Sequence, residues 1–323
     1  MQNLNPQKCK YPQILPISAL AKLLLPILKL AGILTQRYGY RGIGRICLIF
    51  EKIFPPLIVK IVLSAKLVFE IDLRDYYWSR MIFKDFKYEP EILSFVKSVL
   101  PKDFAWIDCG ANMGYWSVII SSMLPPDRVF AVEASPDSFK KLKRNWELNG
   151  SRFQIFHNAI SDTDEKILLF DLRRRHAAAR IIKSEKEAQG RIVETKSITI
   201  DKLIRETPLN NYNGPIVLKL DIEGAEYAAI NGAAKTFAKK NIIIIYECHG
   251  SDQECISTSF LLAQGHHKIF SLTSGFPEIH SISDAQAIKS IKCKGYNFVA
   301  VPAQFNFSKI KTESFLKDLQ EIN

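Results

Sequence analysis

Cysteine is scarce in this chain and follows no pattern. The six cysteines among 323 residues, at positions 9, 47, 109, 248, 255 and 293, form no C-x-x-C pair and no regular spacing. That excludes a disulfide framework and a zinc ribbon as the organising principle, and it suits a reducing, cytoplasmic setting. Internal repeats and low-complexity tracts are also lacking, so a solenoid, a collagen-like rod or a long flexible linker is excluded. Acidic residues are almost missing from the first fifth. From Met1 to Leu67 there are ten Lys or Arg against Glu51 alone, so nine of the eleven net positive charges sit there. Basicity confined to an apolar arm points to an anionic membrane surface rather than to nucleic acid.

No clean membrane span is present either. Ile14 to Leu34, ILPISALAKLLLPILKLAGIL, has the length of one, but it carries Lys22 and Lys29 and is interrupted by Pro16 and Pro26. It also lacks the clean apolar region and small-residue cleavage site of a signal peptide. Residues 1–68 therefore read as a basic, apolar, helical extension that packs on the rest of the chain or lies on a membrane surface. Peripheral attachment at an inner membrane surface is the corresponding localisation.

What is there is globular: 47% hydrophobic and 24% charged residues, enough chain for one α/β domain with an appendage. The pattern predicts a short strand in KLVFEIDL and a helix over Tyr88 to Leu100. Strands and helices then alternate: strand Phe104–Asp108, helix Tyr115–Leu124, strand Val129–Glu133, helix Pro136–Asn149 and strand Phe153–His157. A less regular, charged stretch covers Ser161 to Thr195. A short helix from Ile200, strand Ile216–Leu220, helix Glu226–Phe237 and strand Ile242–Tyr246 follow, then helix Ser257–Gln264 and strands Lys268–Leu272 and Asn297–Val301. This alternation predicts βαβ units in a parallel sheet. Its domain spans 69–305, with a short helical tail over 306–323.

The turn in IDCGANMGYWS, Ile107 to Ser117, stands where a strand gives way to a helix. Gly110 and Gly114 clear side chains from it, and Asp108 ends the strand. A dinucleotide site needs G-x-G-x-x-G, whereas Asn112 takes the middle small position here and the third glycine falls one residue early. Glu133, ending the next strand in VFAVEASP, is placed to accept hydrogen bonds from ribose hydroxyls. A nucleoside bearing an ammonium and a carboxylate, S-adenosyl-L-methionine, answers these features together.

For catalysis, Asp221 ends the strand in LKLDIEGAE at the crevice where open α/β sheets bind ligands. Glu223 and Glu226 follow on the turn and helix start, where helix capping is an equally good use of a carboxylate. Glu247 and His249 in YECHG end the next strand, and a histidine is a suitable proton acceptor near neutrality. No H-x-x-x-H or H-x-H spacing supports a metal. RRRHAAAR, Arg173 to Arg180, reads as a solvated loop or as a lid for an acidic acceptor.

IDCGANMGYWS, AVEASP, HNAISD, TIDKL and LKLDIEGAEYAAINGA together resemble the FkbM family of S-adenosylmethionine-dependent methyltransferases, over roughly Phe69 to Val301. The resemblance implies a Rossmann-like class I methyltransferase fold, a seven-stranded, mostly parallel sheet with helices on both faces and an inserted antiparallel last strand. It implies O-methylation of a hydroxyl on a small, sugar-like or secondary-metabolite acceptor. Asp108, Gly110, Asn112 and Gly114 would line the methionine end, Glu133 would hold the ribose, and Asn158 and Ala159 would lie beside the adenine. Asp221, Glu223 and His249 are the catalytic candidates. Two rivals remain. A nucleic-acid N-methyltransferase would carry a Pro-Pro-aromatic motif where this chain reads DIEG. A non-catalytic scaffold with this fold would not bind the cofactor.

Overall fold

The computed structural model describes residues 12–83, 87–172, 179–182, 184–248, 254–290 and 297–305, together with Phe315, Lys317 and Leu319. They fall into two compact units, one made by residues up to 88 with 144–151, the other by 89–143 and 152 onward.

The first unit begins with β1 (Gln13–Pro16) and α1 (Ala19–Thr35), followed by α2 (Ile43–Ile53), β2 (Ile58–Ser64) and β3 (Leu67–Asp72). The strands form an antiparallel sheet in the order β1-β2-β3. β3 shows why: Leu67, Phe69 and Ile71 are buried while the alternate residues are half-buried, the period of a strand with one covered face. Its outer edge is closed by side chains. Asn149 accepts from the Val68 N–H at 3.0 Å and donates to its carbonyl at 2.7 Å. Asn145 does the same for Glu70, at 2.7 and 3.3 Å. Two amides thus stand in for a neighbouring strand. The Ser18 hydroxyl caps α1 by accepting from Ala21 N–H at 3.1 Å.

Two expectations are corrected here. The extension is not purely helical, since it holds β1 and β2, and its expected end at 68 falls within β3. Pro26 does not break the helix either: α1 runs through it and forfeits the hydrogen bond its missing N–H would make.

The second unit carries α3 (Pro90–Ser98), β4 (Ala105–Cys109), α4 (Tyr115–Ile120), β5 (Val129–Val132), α5 (Pro136–Leu148) and β6 (Gln154–Phe156), the last turn of α5 counting with the first unit. Next come β7 (Ala159–Ile160), β8 (Ile167–Leu172), β9 (Ala179–Ile182), β10 (Arg191–Ile198) and α6 (Ile200–Arg205). β11 (Ile216–Leu220), α7 (Glu226–Asn231), α8 (Ala234–Phe237), β12 (Ile242–Glu247) and α9 (Ile256–Gln264) precede β13 (His267–Ser271), β14 (Glu278–Ile279), α10 (Ile282–Lys289) and β15 (Asn297–Pro302).

The main sheet has the order β14-β13-β15-β12-β11-β4-β5-β6. Strands β6, β5, β4, β11 and β12 are parallel, and β15 lies antiparallel between β12 and β13. This is the expected Rossmann-like sheet with its inserted last strand, extended by the two-residue β14. Every residue of β4 and β11 is buried, as a central strand covered on both faces requires. The strand order reverses beside β4, so the C-terminal ends of β4, β5, β11 and β12 frame a crevice.

The described residues of the charged stretch 161–195 include strands β8, β9 and most of β10. These strands belong to a second sheet of order β7-β10-β8-β9, in which β8 pairs with β10 and β9 antiparallel. The helix expected over Glu226–Phe237 is two helices separated at Gly232–Ala233. In the C-terminal tail, the aromatic ring of Phe315 packs on Phe276 with centroids 5.1 Å apart.

Candidate active site

The turn after β4 is tied to the end of β5 by its backbone. Gly110 and Ala111 N–H both donate to the Val132 carbonyl, at 2.9 and 3.0 Å. Gly110 has φ +79° and Gly114 φ +84°, a region that favours glycine. A Cβ at Gly110 would stand 1.9 Å from the Asp221 carbonyl oxygen, and one at Gly114 would stand 2.5 Å from Leu142 Cδ1. Both glycines are therefore required by the protein's own packing. Asn112, at φ +51°, turns its N–H onto Glu133 Oε2 at 2.7 Å.

Glu133 receives a second amide, Ser135 N–H to Oε1, also at 2.7 Å. Burial pushes its carboxyl up to about 7 against these two donors. Each oxygen keeps an unused lone pair, which is what a ribose hydroxyl needs. Thr195 of β10 donates to the Ala134 carbonyl at 2.8 Å, and the Asn158 amide donates to the Lys196 carbonyl at 3.2 Å. Ala159 pairs with Ser197 across β7 and β10. The second sheet thus braces the two segments expected to hold a nucleoside.

Asp108 is buried, 1% exposed, and accepts the Ser117 hydroxyl at 2.7 Å. It is a support inside the site rather than a surface for an ammonium. Burial raises its pKa, and the charge of Lys219 opposes that rise.

Lys219 is the residue that sequence reasoning passed over. It is the penultimate residue of β11, with only 3% of its surface exposed. Its Nζ donates to Asp221 Oδ2 at 3.1 Å and lies 3.9 Å from Glu89 Oε2. Burial works against its charge, but Asp221, Glu89 and Asp108 outweigh burial and raise its pKa. Glu89, from the start of α3, also accepts the Trp116 indole N–H at 2.5 Å, and burial raises its pKa. One ammonium thereby holds together carboxylates from three places in the chain.

Asp221 follows β11 directly, its N–H bonded to the Cys109 carbonyl at 3.1 Å. Glu226 accepts from Ile222 and Gly224 N–H, each at 3.2 Å, so its role is to cap the turn. That turn holds Glu223 at φ +52°, exposed at the rim of the crevice. Its carboxyl is pushed up to about 7 by loss of hydration and by the charges of Asp221 and Glu226. Glu247 ends β12 and is raised by burial, then by Asp221, Glu223 and Glu89. His249 and the 173–178 part of the arginine-rich stretch lie outside the described residues. Among the described residues, no group of three or more His, Cys, Asp or Glu is disposed to hold a metal ion.

The crevice is thus lined by carboxylates with one buried cation behind them, and several of the acids titrate close to neutrality. Such a site holds cations and takes up protons.

The chain is similar to known methyltransferases. The family model for the methyltransferase FkbM domain matches residues 108–281, more than half of the chain. A protein called Methyltransferase 1 from Beauveria bassiana is 26% identical over 148 residues, 41% of this chain and 59% of that one, so the chain spans less than two thirds of that relative. Among solved structures, methyltransferase FkbM from Methylobacillus flagellatus aligns with a TM-score of 0.40 and 14% identity, over 68% of this chain and 50% of the other. A precorrin-6y C5,15-methyltransferase from Geobacter metallireducens aligns with a TM-score of 0.35 and 12% identity, over 66% and 87%. Both structural likenesses are distant, and it is the domain match from Asp108 to Ser281 that places this protein: the chain belongs to the FkbM methyltransferase family.

Proposed function

We propose that this methyltransferase takes its methyl group from S-adenosylmethionine and places it on a hydroxyl oxygen of a small acceptor, a saccharide or a secondary metabolite. The observation that carries this reading is the set of carboxylates at the ends of β11 and β12, raised toward neutrality, beside the two-amide cradle of Glu133. When bound, the cofactor supplies an electrophilic methyl on a cationic sulfur, and a negative crevice suits that charge.

The residues fit such a group. Glu133 has lone pairs free for ribose hydroxyls, with Asn158 and Ala159 alongside for the base. Asp221 sits where the acceptor must stand, its carboxylate oriented by Lys219. A sugar hydroxyl is a weak acid, so its proton must be taken as the oxygen is methylated. Asp221, Glu223 and Glu247 are the acceptors for it, and the Glu223 carboxyl is pushed up from the ordinary carboxylate range, toward that of a useful base. The same negative lining repels a phosphate backbone, which weighs against a nucleic-acid acceptor.

Calorimetric titration with S-adenosylmethionine and S-adenosylhomocysteine tests the first half. Wild-type protein binds both, and Glu133→Gln weakens binding by roughly 10- to 100-fold, the worth of hydrogen bonds to a charged group. Methyl transfer from labelled cofactor to a panel of hydroxylated acceptors tests the second. Asp221→Asn lowers turnover by about 100-fold or more while cofactor affinity stays close to wild type. A folded wild-type chain that binds neither ligand would remove the enzymatic reading.

A further inference from the structure

The α1–α2 segment exposes apolar side chains in an ordered way. One face of α1 is packed inside the first unit through Ala21, Leu24, Leu25, Leu28 and Gly32. Directly opposite, at spacings of four, three and four residues, stand Leu23, Ile27, Leu30 and Leu34, which are 67, 52, 57 and 65% exposed. A soluble helix places polar residues on the face opposite its core. Here that face is a second apolar stripe. α2 repeats the arrangement: Ile43, Cys47 and Phe50 are buried, while Leu48, Ile49 and Ile53 are exposed. Of the sixteen large hydrophobic residues exposed among the described residues, eleven lie between Leu15 and Ile53.

Cations flank these stripes. Lys22 and Lys29 lie along one side of the α1 stripe, and Arg37, Arg41, Arg45 and Lys52 continue around the turn and along α2, all exposed. Glu51 is the sole acidic residue of the segment. Charge decides between the occupants such a face could have. A second copy meeting it face to face would set like charges against each other. A bilayer rich in anionic lipid neutralises them, and the stems of Lys and Arg can reach its headgroups while the leucines enter the acyl boundary.

Connectivity decides how the segment lies. The chain leaves the small sheet at Pro16 and rejoins it at Ile58, and Pro16 is paired with Val59. Both ends of the excursion are therefore fixed to one sheet. α2, with 11 residues, is about 16 Å long, too short to recross a hydrocarbon core of about 30 Å.

We propose that the α1–α2 face docks this protein on an anionic membrane surface, with both helices lying in the interface and neither crossing it. The proposal is independent of the reaction assigned to the crevice.

Flotation of the full-length protein with phosphatidylcholine vesicles, with and without phosphatidylglycerol, tests it. The protein floats with the anionic vesicles, less so at high salt, and alkaline carbonate releases it. Lys22→Gln with Lys29→Gln lowers affinity for the anionic vesicles by roughly 30-fold. Leu30→Ser with Leu34→Ser abolishes flotation without altering thermal melting, because neither side chain is packed. Absence of flotation in wild-type protein overturns the proposal, as does resistance to carbonate extraction. A wild-type dimer that the leucine variant converts to monomer, with no vesicle binding by either, assigns the face to self-association instead and equally overturns it.

Discussion

The two units depart from the ordinary distribution of polar and apolar groups in opposite directions. The methyltransferase unit buries charge: Asp108, Glu133 and Lys219 are all nearly inaccessible. The N-terminal unit leaves apolar side chains in water along a whole helix face. Each departure costs stability in the isolated protein, the first through lost hydration and the second through unburied hydrocarbon. Elsewhere both units obey the usual rules, with alternating burial in β3 and fully buried β4 and β11. Local violations within otherwise consistent structure are where function is to be looked for, and both proposals made above rest on such places.

Breaking the balance in the crevice should give the largest effect. Lys219→Met leaves Asp108, Asp221 and Glu89 without their common cation, and the expected loss of stability is about 3–5 kcal/mol, read by denaturant unfolding. A smaller loss would mean that the carboxylates simply take up protons, which a shift of the unfolding midpoint with pH would reveal.

The two faces of α1 sharpen the contrast within a single helix. Leu28→Ala, on the packed face, should cost about 2–5 kcal/mol. Leu30→Ala, two residues on, should stay within about 0.5 kcal/mol. Equal costs would place both leucines in the core and dissolve the distinction.

A dependence on pH is the last expected effect. The Glu133 carboxyl is raised from its ordinary 4.5 to about 7, mainly by burial. Its contribution is fully present below pH 4.5 and is lost as pH rises through 7. The protein without ligand should therefore be less stable at pH 8 than at pH 5, by at most about 3 kcal/mol from this group. Glu133→Gln should flatten that slope in thermal melts, whatever it does to the midpoint.

Much of this arrangement was legible in the residues. Short apolar runs ending in Asp108, Glu133 and Asp221 gave the parallel strands and the crevice, because buried central strands are apolar throughout and their ends carry the function. The mixed sheet of β7 to β10 was hidden, since ETKSI and its neighbours alternate charge with small residues and read as loop. β1 is four residues long and ends in proline, so it carried no strand signal of its own. Lys219 had one available signal, a lysine inside the otherwise apolar run IVLKL. Glu89 had none, being about 130 residues away from its partner in sequence and joined to it only by the fold.

The position of β15 bears on how the chain is made. Ala300 pairs with Ile244 on one side and Ile269 on the other. While residues 297–302 are still inside the ribosome, β12 and β13 have no common neighbour, and two rows of backbone donors and acceptors face outward. Such edges recruit strands from other chains. The main sheet is therefore closed last at its middle rather than at its rim, and a ribosome stalled short of Asn297 would release a product prone to aggregate although its glycine turn after β4 and its acidic strand ends had already been synthesised.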